Sequence, residues 1–174
     1  PDGRPVPDSN GATIPTYDQS VIEGFAHVFT GWTSAGTVRF DRPKADYMSP
    51  MIAFADYHAS GEKKLLNGTL LPAGQSPQQD LIQALDNLAN HPNVGPFISR
   101  QLIQRLVTSN PTPAYVARVS QVFADNGQGV RGDLTALTLA ILLDEEARTG
   151  FAGVAGQFGK LREPLLKTSH VWRL

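Results

Sequence analysis

The sequence predicts a mainly α fold, a helical bundle of five or six helices with a small β-hairpin-like excursion near residues 37–71. Three observations carry that expectation. From Ser76 onward, capping residues and first-turn prolines recur, as in Ser76-Pro77, Thr112-Pro113 and Glu163-Pro164. Between these signals, apolar residues return every three or four positions, the period of one helix face. Residues 33–72 instead hold short β-prone runs separated by turn residues, too short to build a second core.

Taken in order, residues 1–15 carry Pro1, Pro5, Pro7 and Pro15 with Gly3 and Gly11, and read as an extended lead-in. Asp18 is placed to cap a helix of about 19–29, with Val21, Phe25 and Val28 beside Ile22 and Phe29 on its apolar face. Thr30-Gly31-Trp32 stops it, glycine taking the left-handed position. Thr37–Phe40, Met51–Phe54 and Lys64–Leu66 are the β-prone runs, and Asn67-Gly68 is a tight-turn signal. Ser76 and Gln79 form a capping box for a helix of about 77–90, which Asn90-His91-Pro92 breaks. A helix of about 94–108 follows, with Val94, Phe97, Ile98, Leu102 and Leu106 on one face. Thr112 caps the next, to about Asn126, and Asp133 caps one that buries Leu134, Leu137, Ile141 and Leu142. Asp144-Glu145-Glu146 reads as a solvated helix start, and Glu163-Pro164 opens a last helix running to the end. That helix is expected to pack through Leu165 and Leu166, leaving Trp172 partly accessible. Residues 16–174 are accordingly read as a single helical domain, a piece of a larger protein.

A chain of 174 residues hides roughly 70% of its extended surface on folding, enough for one hydrophobic core without staples. It has no cysteine, which removes disulfides, thiolate nucleophiles and cysteine zinc sites. No apolar run approaches the roughly 18 residues of a membrane span, so no membrane insertion is expected. Charge is uneven: residues 1–90 hold six Lys/Arg against ten Asp/Glu, and residues 91–174 hold nine against six. Seven of those nine cations are arginines. At a net charge of −1 the halves are read as neutralising each other rather than as a nucleic-acid surface.

The constellations that carry chemistry are weak. His27, His58, His91 and His170 sit on four segments with no paired spacing, so no metal is expected. In Asp125–Asp133 glycines occupy the third and fifth positions and Ala136 the twelfth, which fails a calcium loop. No phosphate loop follows either, and no cofactor is expected. Ser60-Gly-Glu-Lys63 matches a serine–lysine pattern, but with a glycine inside and no downstream partner motif. Trp32, just past a helix, reads as packing over the helix end, with a sugar-stacking platform as the alternative. Arg100 and Arg105 lie about 140° apart on one helix, so at least one is expected to be partly buried and held by a carboxylate or carbonyls.

Longer strings point further. Phe29-Thr-Gly-Trp32, Tyr57-His58 with Glu62–Leu66, and His91-Pro-Asn-Val-Gly-Pro-Phe97 belong together with Gln101–Pro111. Tyr115–Val119, Asn126–Asp133, Glu146-Ala-Arg148 and Phe158–Pro164 extend the set. Together they resemble the bacterial domain of unknown function 1800 family, over nearly the whole chain from about Tyr17. One departure is Ala59-Ser60, where many members read Asp-Thr. The resemblance implies a parent of several hundred residues and a periplasmic or secreted address. It brings no reaction, so no catalytic residue is carried over.

The resulting expectation is a structural or ligand-binding module of an exported bacterial protein, with no catalytic set of its own and the rest of the parent chain as partner. The alternative is part of an enzyme whose active site is shared with a missing N-terminal region. Trp32, His58, Lys63, Arg100, Arg105 and Arg162 are the candidate binding residues. Convergence of the polar ones in a cleft would favour the enzyme, and pairing with core carboxylates would weigh against it.

Overall fold

The computed structural model describes residues 6–153, 158–160 and 163–173. About 49% of the described residues are helical, so the mainly α expectation holds, with seven α-helices among them in place of five or six. The chain divides between His91 and Pro92 into two compact units.

In the first unit, residues 6–15 hold an isolated bridge between Pro7 and Thr13. Helix α1 (Gln19–Val28) starts where Asp18 accepts the Val21 N–H, as its position before the apolar run requires. It ends at Thr30-Gly31, with Gly31 at φ +80°. Strands β1 (Trp32–Thr33) and β2 (Ile52–Ala53) pair antiparallel, as do β3 (Lys63–Lys64) and β4 (Leu70–Leu71). The Asn67-Gly68 turn joins β3 to β4, both residues adopting positive φ. Thr37–Phe40, expected as a β-prone run, contributes only an Arg39–Arg42 bridge. The partner of β2 is instead the segment leaving α1, because the Phe54 N–H reaches the Gly31 carbonyl at 2.8 Å.

Helix α2 (Pro77–Ala89) carries the complete Ser76/Gln79 capping box. Val28, Leu65, Leu71 and Ala84 form the core of this unit, with Phe25 against them. The close approach of α1 to β3 depends on Gly24, where an added Cβ would lie 1.9 Å from the Lys64 carbonyl oxygen.

The second unit contains α3 (Val94–Leu106), α4 (Pro113–Ala124) and α5 (Leu134–Leu143) around Ile103, Tyr115, Val116, Val119, Phe123, Leu137 and Ile141. Thr112 and Asp133 cap α4 and α5 as their positions predict. The buried face of α3 is Gly95, Ser99 and Ile103, rotated from the expected stripe, so Phe97 and Leu106 are exposed. The reason is size: a Cβ at Gly95 would already lie 3.0 Å from Ser120 Oγ, so small residues let α4 approach. With the seam there, Arg100 and Arg105 are both exposed, which corrects the expectation that one is buried.

Helix α6 (Glu145–Thr149) supplies the extra helix. Asp144 ends α5 and caps α6, accepting the Glu146 N–H at 2.9 Å. Helix α7 (Pro164–Val171) carries Leu165, 79% exposed, and is followed by Trp172, 84% exposed. Leu165 therefore does not pack as expected; Leu166 is the less exposed of the leucine pair, at 48%. Among the described residues, no helix is long and apolar enough to cross a membrane.

Candidate functional site

The first unit brings a histidine, a lysine and an aspartate onto one oxygen atom. His58 follows a short 3₁₀ turn at Ala55–Tyr57, Lys63 is the buried residue of β3, and Asp80 lies in the first turn of α2. His58 Nε2 is 2.9 Å from Asp80 Oδ2, and Lys63 Nζ reaches the same oxygen at 2.7 Å. Side-chain exposures are 3% for His58 and zero for Lys63 and Asp80.

The two nitrogen-bearing members are also oriented by main chain. Lys63 Nζ also donates to the Gly61 carbonyl at 2.9 Å. His58 Nδ1 lies 3.0 Å from the Thr30 carbonyl oxygen and 3.3 Å from Thr30 Oγ1. Thr30 Oγ1 donates to the His27 carbonyl at 2.6 Å and accepts the Ala59 N–H at 2.8 Å. The turn leaving α1 is thus tied to the segment around His58. Asp80 Oδ1 is buried without a donor among the described residues, so the carboxylate acts through one oxygen. The N-terminal end of α2 adds favourable potential for that negative charge.

The six candidate residues separate. His58 and Lys63 meet through Asp80. Trp32, on β1, is half-buried, and its Nε1 has no acceptor among the described residues. Arg100 stands exposed on α3 and forms no ion pair among the described residues, while Arg105, on the same helix, faces Glu163 at 3.5 Å. Arg162 lies outside the described residues. The serine–lysine pattern is not assembled as a nucleophile, since Lys63 is committed to Asp80 and Gly61 while Ser60 is exposed. No group of three or more metal-ligating side chains occurs among the described residues.

Asp80 is the residue that sequence reading missed. An acid in a first turn reads as a helix-dipole partner, yet Asp80 shares its buried stripe with Pro77 and Ala84 at helical spacing. That stripe was the available signal. It was masked by the more apolar Ile82 and Leu85, which are exposed.

In the second unit the polar groups are arranged around the helix ends. Arg118 holds Asp144 with two bonds, of 2.8 and 2.7 Å, and Glu146 accepts both the N–H and the hydroxyl of Thr112. The Tyr115 hydroxyl donates to the Ile141 carbonyl, and burial, with the charges of Asp144 and Glu146, pushes its phenol up to about 12. The 125–133 segment closes on itself. Asp125 Oδ1 accepts the N–H groups of Gly127 and Gly129, and Asn126 Oδ1 accepts those of Gln128 and Val130.

A family model described as a protein of unknown function (DUF1800) matches residues 7–174. No curated protein and no solved structure matches the chain.

Proposed function

Since the chain belongs to the DUF1800 family, we propose that it serves an exported bacterial protein as a structural or ligand-binding module without a catalytic set of its own. One observation carries the reading. The site where catalytic-type groups converge, His58–Asp80–Lys63, is closed to solvent, and His58, Lys63 and the Asp80 oxygen they share are taken up by one another and by main-chain carbonyls. A general base or nucleophile must reach the proton or carbon it attacks. Here the cluster instead supports a role as a clamp joining the exit of α1, strand β3 and the start of α2.

The test is a thermal-shift screen of the full-length parent protein against polysaccharides and metabolites, with each stabilising compound followed for turnover. The expected result is stabilisation without conversion, and a His58→Gln variant that melts lower. Turnover abolished by His58→Gln at unchanged melting temperature would overturn the reading.

A further inference from the structure

A concavity lies in the second unit, between the C-terminal end of α3 and α7, with a volume of about 460 Å³. Besides Ser169 its polar lining is basic: Arg105 from α3, Lys160 from the segment after Phe158, His170 from α7 and Arg173 just past its end. No carboxylate lines it among the described residues. The nearest counter-charge is Glu163, whose Oε1 is 3.5 Å from Arg105 Nη1, both side chains being about two-thirds exposed. A contact that long and that exposed leaves the guanidinium largely uncompensated. The side chains of His170 and Arg173 form no hydrogen bond or ion pair among the described residues.

The basic lining is held in place by the fold. Lys160 Nζ donates to the Arg105 carbonyl at 2.7 Å, which positions the ammonium at the helix end without cancelling its charge. Its segment is pinned one residue earlier. There the Thr108 hydroxyl, on a buried residue, donates to the Gly159 carbonyl and accepts the Gly159 N–H, each at 3.1 Å. The Ser109 N–H adds a third bond to the Gly159 carbonyl at 2.9 Å. Leu106 and Leu166 supply an apolar wall beside the cations.

Two guanidinium forks and an ammonium around one concavity match a planar or tetrahedral oxyanion, which arginine grips through paired N–H groups. The volume and the leucine wall match a small organic body rather than a bare ion. We infer that this cleft binds a small organic oxyanion, a carboxylate or phosphate head carried on an apolar group. The inference deepens the ligand-binding part of the function proposed above and does not involve the buried His58–Asp80–Lys63 cluster.

The chain is titrated with phenyl phosphate, benzoate and inorganic phosphate, and with benzyl alcohol as the neutral control, by calorimetry and amide chemical shifts. Saturable binding of phenyl phosphate or benzoate, tighter than that of inorganic phosphate and absent for benzyl alcohol, is expected. The stronger of the two organic anions identifies the head group. Arg105→Gln and Arg173→Gln should each weaken binding about tenfold, the loss of a charge-assisted bond. Arg105→Lys, which keeps the charge without the fork, should fall between, and Arg100→Gln, outside the cleft, should bind like the parent. All three positions are exposed, and equal melting temperatures check that each variant is folded. Failure of both organic anions to saturate, or equal losses in Arg100→Gln and Arg105→Gln, would overturn the site. Release of phenol from bound phenyl phosphate would leave the site standing and overturn only the non-catalytic reading.

Discussion

Arg118 grips Asp144 through two parallel bonds, Nε to Oδ2 at 2.8 Å and Nη2 to Oδ1 at 2.7 Å, and so reaches from the middle of α4 to the junction of α5 and α6. Oδ1 also accepts the Glu146 N–H. One carboxylate therefore anchors the guanidinium and starts the next helix.

This arrangement gives an acid-dependent stability. The Arg118 bonds, then the Glu146 N–H, hold the Asp144 carboxyl below its ordinary range. The folded state keeps it ionised where the unfolded chain takes up a proton, near pH 4. Its contribution is present above that pH and is lost as pH falls through the lower folded value. Asp144→Asn is expected to destabilise by about 1 kcal/mol at neutral pH, a modest figure because Arg118 is half-exposed. The difference from the parent should shrink on acidification, as read by urea unfolding between pH 6 and about pH 3.

At the alkaline end the group to watch is Tyr115. Its phenol, raised to about 12, stays protonated where the unfolded chain's tyrosine ionises, near pH 10. The stabilisation is complete below about pH 10 and lost as pH rises through the folded value. Ultraviolet titration should show one tyrosine ionising late, and Tyr115→Phe should remove that late step. The variant leaves the Ile141 carbonyl without the hydroxyl and should cost about 1–2 kcal/mol.

Removing Asp80 leaves Lys63 and His58 facing each other without their shared anion. Asp80→Ala is expected to cost about 3–5 kcal/mol, the usual result of orphaning a buried charge. The triple replacement His58→Leu, Lys63→Met, Asp80→Leu should recover most of that loss, since no charge remains to be desolvated. Chemical denaturation of both proteins checks this, and a triple variant no more stable than Asp80→Ala would refute the ionic account.

Two helical glycines should respond differently to alanine. At Gly24 the obstacle is a main-chain carbonyl at 1.9 Å, which cannot rotate away, so Gly24→Ala should cost about 3 kcal/mol or more. At Gly95 the closest obstacle is Ser120 Oγ at 3.0 Å, a movable side-chain atom. The gain in helix propensity, about 1 kcal/mol, offsets part of that strain. Gly95→Ala should therefore melt much closer to the parent than Gly24→Ala.

The parts of the fold legible in the sequence were those set by bonds between near neighbours. Asp18, Ser76, Thr112 and Asp133 each satisfy an amide two or three residues ahead, so the cap can be read without knowing the fold. Helix α6 was visible as a start at Asp144 but escaped the count, because five residues carry no apolar period. Strand β2 falls inside the run Met51–Phe54 and β3 overlaps Lys64–Leu66, whereas β1 escaped because the two-residue Trp32–Thr33 has no alternation to detect. The candidate site depends on Asp80 lying 22 positions after His58 and 17 after Lys63 in sequence, and nothing local encodes that meeting. The turned face of α3 was hidden because Gly95 and Ser99 bury themselves by being small, not by being apolar.

The 125–133 segment has a consequence for proteolysis. It is largely exposed and carries glycines at 127, 129 and 132 with positive φ, the profile of a loop tip that proteases nick. A protease must draw several consecutive residues into an extended strand. Here four successive amides, from Gly127 to Val130, are bound by the side chains of Asp125 and Asn126, and Asn126 is bound in turn by Asp133. Extending the chain for cleavage breaks all of these together. The connection between α4 and α5 is therefore expected to be cut more slowly than its exposure alone suggests, leaving the helices on either side joined longer under limited digestion.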